Sequence, residues 1–257
     1  MKIGVLFRGQ FRYSEKFIST FRRNVLQGHE CYCCGHFWDK TQKISSSPLQ
    51  EINALEWDAF RAAFPGEYVF ERQKTIDEIK IFFKAKDRRI HNDEIRAGLP
   101  AGHGTSKISE WYSSYRSFKL YEAAKEHCDV IVLARTDLAF YRTIDLSKLL
   151  PRKLYVNYNH QLGPEWVSNQ FFASRDPAVI RDLSEISFCY DKIISRNPEA
   201  MVAEKTLATY LRGIKNIEIG VVYGVELARD PARSALSYWL ESLKRRIRLF
   251  VRPRGFC

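Results

Sequence analysis

No stretch of the 257-residue chain comes near the ~20 consecutive apolar residues that a membrane-crossing helix needs. The short apolar opening at residues 2–7 is ended by Arg8 and no small-residue cleavage site follows, so no secretory signal is expected and a cytoplasmic location is. The six cysteines (Cys31, Cys33, Cys34, Cys128, Cys189, Cys257) lack a second CxxC or an HxxxH partner within reach of the CYCC cluster, which argues against a zinc site. Cys31 and Cys33 alternate along a probable strand, and buried free thiols are the expectation; a reducing compartment requires no disulfide. GxxxxGK[ST] does not occur, so the Gly pair of AGHGTS is not a P-loop. With only 13 Gly and 9 Pro, and no internal repeat or low-complexity tract, the chain does not belong to the fibrous classes.

Apolar and aromatic side chains are plentiful, 45% and 14% of residues, enough to fill one large core. The net charge is +11 and uneven. Residues 229–257 hold eight Lys/Arg against Asp230 and Glu241 and so carry +6 of the total, leaving a mild +5 elsewhere. The expected organisation is therefore one α/β unit over 1–228 and a basic amphipathic C-terminal helix within 229–257. There Leu236, Leu240, Leu243, Ile247 and Phe250 form an apolar stripe beside Lys244, Arg245, Arg246 and Arg248. Such a helix either packs on the domain with its charges solvated or lies on an anionic membrane surface through 232–257, with Trp239, Phe250 and Phe256 at the interface. The mild charge elsewhere does not mark a nucleic-acid footprint.

The first 70 residues alternate strand and helix patterns, which predicts a mostly parallel sheet flanked by helices. KIGVLF (2–7) has the near-continuous apolar character of a strand covered on both faces. An RGQFRY turn follows, then a helix capped by Ser14 with Phe17, Ile18, Phe21 and Val25 on one stripe. CYCCGHFW (31–38) reads as the second strand, residues 49–64 as a helix stopped by Pro65-Gly66, and EYVFE as the third strand. Residues 73–107 read as a flexible loop or a lid. A helix over 107–127, with Ile108, Trp111, Tyr115 and Phe118 on its stripe, leads into the buried strand DVIVLA (129–134). Strands over 153–158 and 169–174 then surround a loop with Glu165 and Trp166. Asp176-Pro177 opens a helix, 199–211 forms another, and 216–223 the last strand.

Open parallel sheets bind ligands where strands end, and two places put charge directly after a buried strand. In Arg8-Gly9-Gln10-Phe11-Arg12, Gly9 permits close backbone approach and the two guanidinium forks suit a diphosphate; a solvated turn is the alternative. In Arg135-Thr136-Asp137, a carboxylate so close to VIVLA needs a cation beside it. Arg135 can be that partner in a structural ion pair, or Asp137 can hold a divalent ion that bridges two phosphates while Arg135 neutralises the leaving group.

KIGVLFRGQFR, GHFWD, SEWYSSYRSFKLYEAAKEHCDVIVLARTDLAF, and SNQFFASRD followed by AEKTLATYL occur in that order over roughly residues 2–212. Together they resemble a family of small GT-A-type glycosyltransferases of bacterial capsule and lipopolysaccharide loci and of some large DNA viruses. The resemblance implies a GT-A-like (Rossmann-like) fold, a nucleoside-diphosphate sugar as donor, a glycan or lipid-linked acceptor, and a divalent metal (Mn or Mg). It implies that Arg8, Gly9, Gln10 and Arg12 meet the nucleotide or diphosphate and that Tyr115 and Arg116 line the same pocket. Asp137 would be the surviving acid of a DxD-type turn, for metal or diphosphate. The chain departs from that pattern at Arg135, where a DxD protein has its first Asp, and at Asn169, where relatives often carry an Asp beside Gln170.

An inverting transfer needs a base near the acceptor hydroxyl. Glu165, His160 and Glu204 are the candidates, with Glu165 first because it precedes NQFF. Asp39, just after the second strand, either contacts the nucleotide or starts a turn. Two other classes use a related sheet. A sugar-phosphate nucleotidyltransferase is disfavoured by the Gly-poor RGQFR loop; a non-catalytic binding protein would keep the fold and use its basic tail.

Overall fold

The structure is a computed structural model that describes residues 1–12, 15–41, 49–75, 78–79, 103–158, 167–189, 193 and 203–227. Ser14, the loop with His160 and Glu165, most of the segment 73–107 and the expected basic helix in 229–257 lie outside the described residues.

Seven strands form the central sheet in the order β10-β8-β9-β6-β1-β2-β5. They are β1 (Lys2–Gln10), β2 (Glu30–Trp38), β5 (Gly66–Glu71), β6 (Val130–Ala134), β8 (Lys153–Asn157), β9 (Phe171–Ser174) and β10 (Glu218–Val222). Neighbouring strands are parallel except at β9, which is antiparallel to both β6 and β8. Two small antiparallel pairs stand apart: β3 (Lys40–Thr41) with β4 (Gln50–Glu51), and β7 (Leu138–Phe140) with β11 (Val225–Leu227).

The period of two along β1 divides the core. Ile3, Val5 and Phe7 face the side covered by α1 (Glu15–Phe21) and α2 (Ala54–Ala63), where Phe17, Phe21, Phe60 and Phe64 meet them. The Phe7 ring lies 5.1 Å from both Phe60 and Phe64, so truncating it would cost about 3–5 kcal/mol. Leu6 faces the other side, with Trp111 and Phe118 of α3 (His103–Ala124), Ile180 of α4 (Pro177–Ser184) and Leu207 of α5 (Ala203–Ala208). The α/β sheet flanked by helices is thus as the periodicity predicts.

Several elements differ from the sequence expectation. β1 does not stop at Phe7: Arg8, Gly9 and Gln10 pair with His36, Phe37 and Trp38 of β2, so they belong to the strand and not to a turn. The helix expected from residue 49 begins at Ala54, because the Asn53 side chain caps it by accepting from the amides of Leu55 and Glu56, while Gln50 and Glu51 form β4. The antiparallel setting of β9 and the pair β7–β11 carry no periodicity signal of their own. Cys33 and Cys34 are buried free thiols; Cys31 and Cys128 are free and half-buried. Among the described residues no helix is long and apolar enough to cross a membrane.

Candidate functional site

From β1 the sheet is built outward to β2 and β5 on one side and to β6 on the other. The carboxyl ends of β1 and β6 therefore flank the switch point at which open α/β sheets bind ligands. The two charged segments singled out in the sequence lie there side by side. The Arg12 amide donates to Thr136 Oγ1 at 3.0 Å, and its guanidinium reaches Asp137 Oδ2 at 3.0 Å and Gln10 Oε1 at 2.6 Å.

Asp137 is 3% exposed, and guanidinium groups occupy both of its oxygens. Arg135 donates Nε to Oδ1 at 2.9 Å and Nη2 to Oδ2 at 2.7 Å, a bidentate fork. Burial disfavours the Arg135 charge, but the carboxylate beside it more than offsets this and raises its pKa, with Glu110 and Glu204 adding to the effect. Glu204 is thereby drawn to the same site; its backbone carbonyl accepts from the amide of Val167.

Arg8 departs from its expected role. Strand alternation turns it toward α3, on the side of Leu6, and it is 1% exposed. Its Nη1 binds Glu110 Oε1 at 2.6 Å, its Nη2 donates to the carbonyl of Asn169, and the guanidinium sits 5.4 Å from the centroid of the Phe172 ring. Asn169 Nδ2 returns to Glu110 Oε2 at 3.2 Å, while Arg8 Nε is buried with no hydrogen-bond partner. Burial lowers the pKa of Arg8 and Glu110 opposes the shift. Neither a solvated turn nor a free diphosphate ligand, this arginine ties β1, α3 and the start of β9 together. One register step beyond Phe7 and Ala134, the last pair of the β1–β6 ladder, it lies beside Arg135. Two like charges on adjacent strands repel; Glu110 and Asp137 offset them. Arg8, Arg12 and Arg135 thus stand with Glu110 and Asp137 in one tightly paired cluster, with Glu204 close enough to act on Arg135.

Gly9 has φ 94°, a conformation closed to most L side chains, and a Cβ built there meets no heavy atom within 4 Å. Its amide donates to Ser113 Oγ at 2.6 Å. The Ser113 hydroxyl donates to the His36 carbonyl at 2.8 Å, and Ser117 Oγ accepts from the His36 amide at 3.0 Å. The His36 ring is fully buried, its Nδ1 3.0 Å from Ser113 Oγ, and burial depresses its pKa to about 4. Glu110, Ser113 and Ser117 follow helical spacing, a polar stripe beside the apolar stripe of α3. That stripe, placed just before the strand that ends in RTD, is the signal by which they could have been found.

Three further candidates have partners of their own away from the Arg12–Asp137–Arg135 cluster. The Tyr115 ring lies 5.4 Å from that of Phe188, edge to face. Arg116 pairs with Glu71 at 2.7 Å, at the end of β5. Asp39 is a turn residue: its amide donates to the Glu71 carbonyl at 2.8 Å and its Oδ1 accepts from the Gln73 amide at 3.1 Å. Of the base candidates, His160 and Glu165 lie outside the described residues.

A divalent metal does not fit the described side chains. Both oxygens of Asp137 are held by arginines, and among the described residues no group of three His, Cys, Asp or Glu could ligate an ion. Comparison of the chain with models of protein families and with curated proteins finds no match.

Proposed function

We propose that this chain is a glycosyltransferase with a GT-A-like fold. It would move a sugar from a nucleoside-diphosphate sugar to a glycan or lipid-linked acceptor, with the donor diphosphate at the joined ends of β1 and β6. The single observation that carries the reading is the Arg12–Asp137–Arg135 cluster at the switch point, next to the open space on the Cα of Gly9. The ordered resemblance to that transferase family adds the substrate class.

Departure of a nucleoside diphosphate builds negative charge on the leaving oxygens, and preorganised cations stabilise it most where water is excluded. Arg12 and Arg135 retain 19% and 21% side-chain exposure, so a phosphate can approach both guanidinium groups from solvent. Asp137 serves as a positioning residue that holds both guanidinium planes, and Arg8 sets the potential from beneath. Glu204 is the described candidate for the base; Glu165, which precedes β9 in the sequence, remains the other. Attachment to an anionic membrane through 232–257 belongs to the same proposal.

The saturation of Asp137 by arginine also favours a second reading, a non-catalytic protein that binds an anionic ligand at this rim. Incubation with a panel of UDP-, GDP- and CMP-linked sugars separates the two. Release of free nucleotide that stops in Arg135→Ala supports transfer; nucleotide binding without release supports the second reading.

A further inference from the structure

The rim that holds the arginine cluster continues across β9 and β8 to β10. Because β8 and β10 run parallel to β6, their carboxyl ends lie on the same side of the sheet. Side-chain chemistry changes along this row. Next to the arginines come the amides of Asn169 and Gln170 at the start of β9. Asn157, at the end of β8, donates from Nδ2 to Gln170 Oε1 at 3.1 Å and is itself held by Ser168 and the amide of Phe171. Beyond them are two tyrosines, Tyr158 after β8 and Tyr223 after β10. Their rings are 5.2 Å apart and 37° inclined, and they remain 45% and 55% exposed. Val221, 43% exposed, lies two residues before Tyr223 on β10.

Large rings exposed side by side are an aggregation liability unless they have a use. The Tyr158 amide donates to the Val222 carbonyl at 2.7 Å, so both rings start from well-held backbone and present their faces at little entropic cost. At ~4.8 Å per strand, the pair stands about 10–14 Å along the rim from the end of β6. Flat aromatic faces bury the C–H face of a sugar ring; the half-buried amide of Gln170, held in place by the buried Asn157, can meet a hydroxyl without demanding a charge. The row therefore grades from a cationic end suited to phosphate to a neutral end suited to carbohydrate.

We propose that Tyr158 and Tyr223 form an acceptor subsite that stacks a neutral oligosaccharide, with Asn157 and Gln170 between it and the transfer site. This rests on the transferase reading for its purpose, although the binding itself does not.

The test is saturation-transfer NMR on the full chain with neutral tetrasaccharides of glucose, galactose, mannose and N-acetylglucosamine, alongside calorimetric titration with UDP and GDP. The expected result is transfer to at least one tetrasaccharide. Its affinity should fall about tenfold in Tyr158→Ala/Tyr223→Ala and stay within about threefold in Tyr158→Phe/Tyr223→Phe, which keeps the rings. Nucleotide affinity should be unchanged in both. No transfer to any tetrasaccharide, or equal affinity in the alanine variant, overturns the subsite. A fall in nucleotide affinity with glycan binding intact overturns it too, since the rings would then serve a nucleobase. Tyrosine-dependent glycan binding without any nucleotide binding leaves the subsite standing and removes the transferase reading.

Discussion

Ser113 Oγ lies 2.6 Å from the amide nitrogen of Gly9 and so joins the middle of α3 to the residue of β1 whose φ is 94°. The bond fixes the backbone at the end of β1 just before the chain turns to deliver Arg12 to Asp137. Gly9→Ala should therefore destabilise the fold by about 1–3 kcal/mol through backbone strain alone, because the space beside it is open. Chemical denaturation measures this. A neutral effect would mean that the positive φ is not required.

Arg8 and Glu110 form a buried pair, and the physics of such pairs makes their variants informative. Glu110→Gln leaves the arginine, 1% exposed, without its directly bound carboxylate and should cost about 3–5 kcal/mol. Arg8→Met combined with Glu110→Gln should recover most of that loss, because the uncompensated charge is gone. A double-mutant cycle in urea checks the coupling; additive effects would show that the pair is not an energetic unit.

Asp137→Asn should end sugar transfer and also lower stability by about 2–4 kcal/mol, since Arg135 and Arg12 both lose their carboxylate. Thermal melting and donor consumption are measured on the same sample. Full turnover in this variant would place the chemistry elsewhere.

His36 predicts an acid-sensitive fold. Above about pH 6.5 its imidazole is neutral in both folded and unfolded chains and contributes nothing to pH dependence. As pH falls from about 6.5 to the folded value of about 4, only the unfolded chain takes up the proton, so stability declines by about 3 kcal/mol. Glu71, whose pKa is lowered in the fold by the Tyr112 hydroxyl and nearby cations against the effect of burial, adds a further loss at still lower pH. His36→Asn should flatten the decline between pH 6.5 and 4 in urea-midpoint measurements.

The sheet and its helices were legible in the sequence because apolar periodicity reports burial directly: Ile3, Val5 and Phe7, or the run of β6, could have no other use. The adjacency of the two charged segments was legible too, since both follow buried strands. What was not legible was the direction of each charge. Arg8 looked like the first residue of a turn, but backbone pairing with β2 carries the strand to Gln10 and points that side chain at α3. Tyr115 and Arg116 sit on the right helix, yet the face toward β1 is drawn by Glu110, Ser113 and Ser117, small and polar side chains that a search for apolar stripes passes over. For Asp137 the sequence offers both an ion pair with Arg135, two residues away, and a metal; the pair is what forms, and only the second partner, Arg12, comes from a tertiary contact that spacing does not show.

The central claim is that arginines, and not a metal, hold a nucleoside diphosphate where β1 meets β6. Isothermal titration of the full chain with UDP and GDP, each in EDTA and in manganese, tests it most directly. The account predicts binding of at least one of them in EDTA, within about threefold of the affinity in manganese, and a loss of about tenfold or more in Arg12→Ala/Arg135→Ala. No binding at millimolar nucleotide, or binding that appears only with manganese, would contradict it.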